Sequence, residues 1–339
     1  MTLSPFFSPS LQSYLLVAAA AILDQALGDP RRWLHPVELI GWGINRSRNI
    51  AERRAASNPL ALRLSGGIIT TTIVGGATLT GWGIEQVAHN QIGALQWLGS
   101  LVVVISLASA LAGQSLKKAV NEVIEALPNL DEARGKLSWI VGRDTAELGE
   151  QNILRAAAET ASENAVDGLF APLFWMLSGC ALWQFSPLLP GPVALAWMFK
   201  ASSTLDSMLG YRRGSLRWLG TAGAKLDDLL TWLPCRLVVL SLPMVSRPWH
   251  QAPKIIRTAF KDAASDPSPN AGLSEAIFAH CAGVQMGGHN TYQGIVVEKP
   301  TLAQQAPHAN REGVENILRL ISRLEIAWIS IAIVSNLLI

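Results

Sequence analysis

The chain alternates long uncharged blocks with shorter segments that carry most of its charge. Residues 64–84, between Arg63 and Glu85, contain no charged residue, and neither do residues 86–116. A helix that crosses the hydrocarbon core of a bilayer takes about 20 residues. The pattern therefore predicts membrane-spanning helices near 64–85 and 92–116.

Three further apolar segments are predicted to be spans, one of them broken. No Lys or Arg precedes the apolar run near 11–28, so we interpret it as a retained first helix and not as a cleaved signal. The uncharged block 168–199 contains three prolines and a glycine in its middle sequence FSPLLPGP. Because proline and glycine interrupt helices, this block is expected to form a hairpin of two shorter helices. The last 14 residues predict a short span near 324–339.

The apolar block 229–245 is predicted to be re-entrant or interfacial. Arg236 lies in its middle, and a charge at the bilayer centre costs roughly 2.5–3.5 kcal/mol on insertion scales. Its flanks, like the other polar segments, are rich in Lys and Arg, which favours the cytoplasmic side for all of them. The expected fold is an all-α integral membrane protein: a multi-span helical bundle in a single domain, 1–339, with a polar cleft on its cytoplasmic side. Residues 262–311 form the most loop-like region.

Composition agrees with a membrane protein and argues against other classes. Half of the residues are hydrophobic and only 15% are charged, whereas soluble domains carry about 25% charged residues. The net charge of +2 gives no reason to expect nucleic acid as a partner. The three cysteines, Cys180, Cys235 and Cys281, are far apart and fit neither a disulfide framework nor a zinc site.

Charged residues recur at intervals of four just before the block 168–199: Arg155, Glu159, Glu163 and Asp167. On a helix they would follow one stripe, with Asn164 beside it. A solvated helix face has the same spacing. Carboxylates at a membrane boundary are nevertheless costly enough to suggest a use, and such oxygen ligands suit magnesium together with substrate phosphates. Both interpretations stay open.

Two more polar clusters follow. KASSTLDSMLGYRRG places Asp206 among hydroxyls and just before an arginine pair, which would suit a phosphate or carboxylate site or a helix end with cytoplasmic arginines. In GAKLDDLLTW, Asp227 and Asp228 are either polar-site residues or acids in the first turn of a helix. SPNAG, 268–272, predicts a turn before a helix, with Asn270 as a possible cap. No GxxxxGK[ST], GxSxG or HExxH motif is present.

Together these stretches resemble the CobD/CbiB membrane proteins of cobalamin biosynthesis, the adenosylcobinamide-phosphate synthases. The resemblance runs from about Asp24 to Gly294. Its motifs are GDP (28–30), HPV (35–37), GRDT (142–145), RAAAETASENAVDGLFAPLF (155–174), TLDSMLGYR (204–212), AKLDDLLTWLPCRL (224–237), SPNAG (268–272) and GGHNTY (287–292). The chain departs from the usual pattern at Ser202–Ser203, where the family has Val-Asn, and at Leu273–Ser274, where Trp-Pro is common. These departures concern fine substrate preference.

The resemblance implies an amide-forming ligase at a late step of the corrin pathway. Such an enzyme joins the free propionate carboxylate of adenosylcobyric acid to (R)-1-aminopropan-2-ol or its O-phosphate, giving adenosylcobinamide or its phosphate. ATP and Mg²⁺ are implied as the means of activating the carboxylate. A bacterial inner-membrane location, an active side in the cytoplasm, and contacts with the lipid bilayer and with other corrin-pathway enzymes are implied as well.

The candidate site residues combine the motif positions with the chemistry of their side chains. The expected catalytic residues are the carboxylates Glu159, Glu163, Asp167 and Asp206. The candidate metal ligands are Asp227 and Asp228. The expected substrate-binding residues are Asp29, His35, Arg143, Asp144, Arg155, Asn164, Ser203, Tyr211, Arg212, Lys225 and Asn270. Two alternatives stay open: a transporter whose polar residues line a path, favoured by the broken hairpin, and a non-catalytic scaffold for corrin-pathway enzymes.

Overall fold

The fold is almost entirely helical. The computed structural model describes residues 9–28, 35–55, 58–89, 94–211, 213–246 and 249–338. Its helices are α1 (Pro9–Leu27), α2 (Pro36–Ala55), α3 (Pro59–His89), α4 (Ala94–Ala108), α5 (Gly113–Ala126), α6 (Leu130–Ser138), α7 (Glu150–Ala165), α8 (Ala171–Trp183), α9 (Pro192–Leu209), α10 (Leu216–Leu219), α11 (Thr221–Ser246), α12 (Ala252–Asp262), α13 (Ala271–Ala282) and α14 (Arg311–Leu337). Two strands, β1 (Met286–Tyr292) and β2 (Ile295–Leu302), form an antiparallel pair. The prediction of an all-α membrane protein is confirmed, apart from this hairpin.

Three helical segments of the described chain are long and apolar enough to cross a membrane: Pro59–His89, Glu150–Trp183 and Thr221–Ser246. The number rises to four if α4 and α5 count together as one broken span. The second segment contains a π-helical turn, Val166–Phe170, between α7 and α8. It begins well before the block 168–199, so the acidic stripe lies within the same long segment and not in a loop before it. The predicted spans and their side of the membrane stay predictions.

The backbone forms two compact units. Unit 1 comprises 1–112, 171–230 and 329–339, and unit 2 comprises 113–170 and 231–328. In unit 1 the core lies among α2, α3, α9 and α10, with Ile44, Leu62 and Leu205 almost fully buried. Glycines on α3 permit close approach: a Cβ at Gly66 would lie 2.1 Å from the carbonyl oxygen of Leu219, and one at Gly81 would lie 2.8 Å from the Cα of Ala194.

Glu85 shows how unit 1 accommodates a charge in an apolar segment. Its side chain is fully buried near the end of α3. Its carboxylate accepts hydrogen bonds from the backbone N–H groups of Gly191, Val193 and Ala194 at the start of α9. The first N–H groups of a helix have no partner within the helix. Glu85 satisfies them, so it is a structural cap.

Unit 2 is built around α7. The small side chains of Ala156, Ala157, Ala158 and Ala161 are all fully buried, so neighbouring elements can pack closely against this helix. α5, α6, α13 and β1 all contact it. The candidate catalytic stripe is carried by this central helix.

The helix expected after SPNAG is confirmed, since α13 begins at Ala271. The region 262–311 is less loop-like than expected. It contains α13 and the β1–β2 hairpin. The hairpin turns at Gln293–Gly294, where both residues have positive φ, at 52° and 79°. A two-residue turn of this kind matches the twist of antiparallel strands. The alternation of residues that marks a strand is hidden in β1 by its glycines and by its short length.

One expectation for α11 needs correction. Asp227 and Asp228 lie in the second turn of a helix that begins at Thr221, so neither is a first-turn acid that stabilises the dipole. The segment 229–245 is part of one continuous helix of 26 residues, with Pro234 and Pro243 inside it. The re-entrant or interfacial placement stays a prediction.

Candidate functional site

The GRDT loop and α7 are joined by a buried ion pair. Arg143 Nη1 lies 2.5 Å from Glu159 Oε2, and the two side chains are 8% and 1% exposed. The other oxygen of Glu159 accepts a hydrogen bond of 2.8 Å from the backbone N–H of Gly287 on β1. Burying a carboxylate is costly unless it is paired and hydrogen-bonded. Glu159 meets both conditions, so it ties three motifs together.

Arg155, one turn before Glu159, holds the same strand from the side of α7. Its guanidinium donates to the backbone oxygen of Gly287, and to that of His289 at 2.8 Å. Asn290 Oδ1 accepts from Arg155 at 3.3 Å and from Arg143 at 2.8 Å. Both arginines are therefore engaged with protein acceptors, whereas the sequence suggested that they would hold a substrate carboxylate or phosphate.

Asp144 has a related structural task. Its carboxylate accepts hydrogen bonds from the backbone N–H groups of Gln293 and Gly294, at 3.1 and 2.8 Å. Its own N–H donates to the carbonyl oxygen of Thr291 at 2.8 Å. The acid of the GRDT motif thus clamps the turn of the β1–β2 hairpin.

A polar cavity of about 480 Å³ opens beside these contacts. Both arginines line it, with polar side chains from α7, β1 and the segment after the hairpin: Arg143, Gln151, Asn152, Arg155, His289, Asn290, Thr291 and His308. Arg155 Nε and Asn290 Nδ2 are buried and have no hydrogen-bond partner among the described residues. Arginine and amide side chains line the cavity, and both types carry hydrogen-bond donors.

A second ion pair lies close to the stripe. Lys299 Nζ on β2 is 3.1 Å from Glu275 Oε1 on α13, and the Glu275 side chain is 1% exposed. Glu275 Oε2 is buried without a hydrogen-bond partner among the described residues. Burial raises the pKa of Glu275 to about 8, against the opposing charge of Lys299, and the nearby carboxylates of Glu159 and Glu163 act in the same direction as burial.

Glu163 lies at the centre of these groups. Its carboxylate interacts electrostatically with Lys299, Arg143, Asp266 and Glu159, and Glu275 interacts with Glu163 in turn. We call the following set the Glu163 cluster: Arg143, Glu159, Glu163, Asp266, Glu275 and Lys299. Its four carboxyl groups outnumber its two cations. Because its acids exceed its cations, the cluster favours binding of a cationic ligand.

The remaining predicted residues of unit 2 lie along the same elements. Asn164 is exposed on α7 and donates to Thr160 Oγ1 at 2.9 Å. Asp167 is half-buried in the π-helical turn, a feature often found at functional sites. Asn270 occupies the N-cap position of α13 without capping it. Its Oδ1 accepts from Arg236, which also donates to the carbonyl oxygen of Pro269.

Unit 1 holds a separate acidic group. Asp227 on α11 interacts electrostatically with Asp206 and Asp228. Burial, and then the charge of Asp228, raise the pKa of Asp206. Asp227 Oδ1 is buried and has no hydrogen-bond partner among the described residues. Within the described chain, no group of three or more His, Cys, Asp or Glu has the arrangement of a metal site.

The structure does not bring the other described candidates of unit 1 into one cluster. Ser203 is half-buried, Lys225 is exposed, and the ring of exposed Tyr211 lies 5.0 Å from the guanidinium of Arg213. His35 Nδ1 accepts from the N–H of Val37, just before α2. Asp29 and Arg212 lie outside the described residues.

Sequence reasoning missed Glu275, Lys299, Asp266 and Asn290. The first three were passed over because they stand alone in sequence, without the regular spacing that marked α7. A signal was available for Glu275, which follows the SPNAG motif by three residues. Lys299 could be located only once the hairpin was known, since the register pairs Lys299 with Gly288.

The chain is similar to a family of known proteins. A family model described as "CobD/Cbib protein" matches residues 17–321. The chain belongs to the CobD/CbiB family. It is 42% identical to "Cobalamin biosynthesis protein CobD" of Synechocystis over 304 residues, covering 89% of this chain and 85% of that protein. It is 36% identical to "Cobalamin biosynthesis protein CbiB" of Salmonella typhimurium over 323 residues, covering 94% of each. No solved structure matches significantly.

Membership of the CobD/CbiB family confirms the resemblance drawn from the motifs. It places the chain in cobalamin biosynthesis, and the apolar helices agree with a membrane protein. Four CobD/CbiB-like motifs, GRDT, the α7 stripe, SPNAG and GGHNTY, lie together in unit 2. TLDSMLGY and AKLDD lie in unit 1.

Proposed function

We propose that this CobD/CbiB protein is an amide-forming ligase, an adenosylcobinamide-phosphate synthase. It would join a propionate carboxylate of adenosylcobyric acid to (R)-1-aminopropan-2-ol or its O-phosphate. The observation that carries the proposal is the Glu163 cluster. Its acids outnumber its cations, and the amine substrate arrives in water as an ammonium ion.

The cluster suits the proton transfers of amide formation. An ammonium nitrogen has no lone pair, so it must lose a proton before it can attack a carbonyl carbon. Glu163 is a suitable acceptor because, among the described residues, its carboxylate forms no ion pair within 4 Å, unlike those of Glu159 and Glu275. Glu159 and Arg143 would position it, since they fix the stripe against β1. General-base catalysis of this kind contributes about 10²–10⁴-fold.

The polar cavity beside Arg143 and Arg155 is proposed to take an acceptor-rich part of a substrate. Peripheral amides of a corrin and a phosphate on the amino-alcohol both accept hydrogen bonds. The side chains of Arg143, Arg155 and Asn290 line the cavity and would supply the donors. The exposed part of either substrate would remain in solvent.

ATP with Mg²⁺ is proposed to supply the activation: it converts the carboxylate into a reactive acyl group, and a phosphate-containing leaving group departs as the amide forms. The acidic group of unit 1 fits a magnesium ion in part. Asp206, Asp227 and Asp228 are electrostatically coupled, and Asp227 Oδ1 has no hydrogen-bond partner in the described chain. Magnesium is commonly held by one or two carboxylates together with phosphates and water.

We further propose that the protein resides in the bacterial inner membrane with its active side in the cytoplasm, where ATP is available. The test is an assay of the protein purified in detergent with adenosylcobyric acid, amino-alcohol or its phosphate, and Mg-ATP. A ligase gives cobinamide or its phosphate and consumes nucleotide in step. A transporter would move a corrinoid into proteoliposomes without forming product, and a scaffold would do neither.

A further inference from the structure

The short helix α12 has an exposed surface that the proposed chemistry does not use. Trp249, in the 3₁₀ turn before the helix, is 78% exposed, and Phe260 is 44% exposed. Pro253 is exposed between them in sequence, and Ile256 is half-buried. Residues spaced by three or four lie on one side of a helix. Pro253, Ile256 and Phe260 therefore form an apolar strip, the α12 strip, which Trp249 extends.

A row of positive charge runs next to this strip. Lys254, Arg257 and Lys261 are all exposed and follow the same spacing one position further along. The acid of the helix, Asp262, does not neutralise them. It lies 2.8 Å from His280 Nε2 and accepts from the N–H of Ala303. The outer side of α12 is therefore both apolar and basic.

The inner side of α12 is already occupied by protein. Ala252 and Ala259 are 4% and 0% exposed, and α12 packs against α13. The α12 strip lies next to the buried residues of this contact, so the fold of unit 2 fixes its position. Exposed apolar residues in such a position call for a partner.

The position of α12 in the chain indicates the partner. The preceding helix, α11, is one of the segments that can cross a membrane, and it ends at Ser246. Only two residues separate Ser246 and the exposed Trp249. In unit 2, α11 exposes Leu233, Leu240 and Met244, which suit the acyl chains of lipids. The α12 strip follows this exposed apolar segment directly in the chain.

We infer that α12 lies in the membrane interface and binds anionic lipid headgroups. The α12 strip and Trp249 would enter the boundary between headgroups and acyl chains, as amphipathic helices do, and Trp suits that depth. Lys254, Arg257 and Lys261 would reach the phosphates while their aliphatic stems stay with the apolar atoms. Each basic side chain strengthens such an association by roughly fivefold. The inference does not depend on the ligase proposal.

The test uses the full chain with Phe260→Cys, labelled with an environment-sensitive dye that replaces the aromatic ring. The three native cysteines are buried, and labelling of the unmodified protein gives the background. The matched control is Ser138→Cys, at an exposed position on α6 in the same unit. Both proteins are placed in nanodiscs of phosphatidylcholine alone or with phosphatidylglycerol added.

We expect the dye at position 260 to brighten and shift to the blue when phosphatidylglycerol is present, with no change at position 138. High salt should reverse the change, because the screening length falls to about 3 Å at 1 M. Combining Lys254→Gln, Arg257→Gln and Lys261→Gln should remove it. An equal signal with and without phosphatidylglycerol, or an equal response at both positions, would overturn the inference. A blue shift that needs native membranes and is absent from every lipid nanodisc would overturn it in favour of a protein partner.

Discussion

At the scale of single residues, the spacing of α7 predicted which side chains share one side of the helix but not which residues they contact. The four-residue interval between Glu159 and Glu163 placed both carboxylates on one side of a helix, and the structure has them there. The same interval could not show that Glu159 would be buried and bonded to Arg143 and Gly287. Those partners are 16 and 128 positions away, and only the tertiary fold brings them close.

Replacing Glu163 tests the proposed base. We expect Glu163→Gln to lower the rate of amide formation by about a hundredfold or more, while the protein still accumulates in membranes. The change keeps the shape of the side chain and removes its charge. The matched control is Glu150→Gln, at an exposed position on the same helix. Near-normal turnover in both variants would restore the interpretation of the stripe as a solvated or purely structural face.

The raised pKa of Glu275 can be tested through the pH dependence of stability. Its pKa is raised to about 8, so the folded state favours the protonated form more than the unfolded state does. Its contribution to stability is therefore full below the ordinary pKa of a glutamate and is lost as the pH rises towards 8. The Glu275→Gln substitution should remove this loss. The unfolding temperature of the variant should therefore fall less, as the pH rises, than that of the unmodified protein.

The measurement is thermal unfolding in detergent between about pH 5 and pH 8, the window set by the raised pKa. Lys299, Glu159 and Glu163 act on Glu275 and are unchanged in both proteins, so the difference between the two curves reports the ionisation of Glu275 and its coupling to them. Glu298→Gln, at an exposed position beside Lys299 on β2, serves as the control. Parallel curves for Glu275→Gln and the unmodified protein would contradict a raised pKa.

At the scale of elements, long uncharged blocks are a dependable signal and glycine-rich segments are not. The prolines of FSPLLPGP correctly suggested an interruption, since α8 ends at Trp183 and α9 begins at Pro192. The β1–β2 hairpin was missed because Gly287, Gly288 and Gly294 resemble loop residues. Each has a positive φ, which glycine adopts at little cost.

Alanine substitutions at two adjacent glycines of α3 distinguish the effect of close packing from that of helix propensity. A Cβ at Gly66 would lie 2.1 Å from the carbonyl oxygen of Leu219, whereas Gly67 has open space around it. We expect Gly66→Ala to destabilise unit 1 and lower the yield of folded protein, because backbone must move to admit the methyl group. Gly67→Ala should be neutral or stabilising by up to about 1 kcal/mol, the difference in helix propensity.

Thermal unfolding and size-exclusion profiles in detergent measure this pair. Both changes add the same methyl group to the same helix at neighbouring positions, so general effects of alanine cancel. Equal unfolding temperatures for the two variants would mean that α3 and the end of α10 do not approach as closely as the structure has them.

At the scale of the whole molecule, the sequence determined the class and left the packing open. Block lengths and the low charge content were enough for an all-α membrane protein, because the thickness of the bilayer constrains the length of every span. The division into two units was not foreseen. Each unit joins segments that are distant in the chain, 113–170 with 231–328 in unit 2, and hydrophobic periodicity carries no information about such pairings.

The last prediction concerns which side of the membrane the motifs occupy. The distribution of Lys and Arg favours the cytoplasm for 142–167, 200–228 and 247–311, with 89–92 and the turn near 187–192 outside. The inferred interfacial position of α12 requires the same side for Lys254 and Lys261, since the negative surface potential of the cytoplasmic leaflet attracts basic segments. Both arguments rest on the same basic residues after α11. This topology also requires that α11 does not cross the bilayer, as Arg236 predicts for 229–245.

Single added cysteines at Leu188, which is exposed in the turn near 187–192, and at Ala263 and Asn310 can be probed in intact cells with a membrane-impermeant thiol reagent. The buried native cysteines allow this after the background has been measured. We expect labelling at Leu188 in intact cells, and labelling at Ala263 and Asn310 only after the cells are opened. Labelling of Ala263 from outside would place SPNAG away from cytoplasmic ATP. Because SPNAG, GRDT and α7 pack together in unit 2, the Glu163 cluster would then face the wrong compartment for an ATP-dependent ligase.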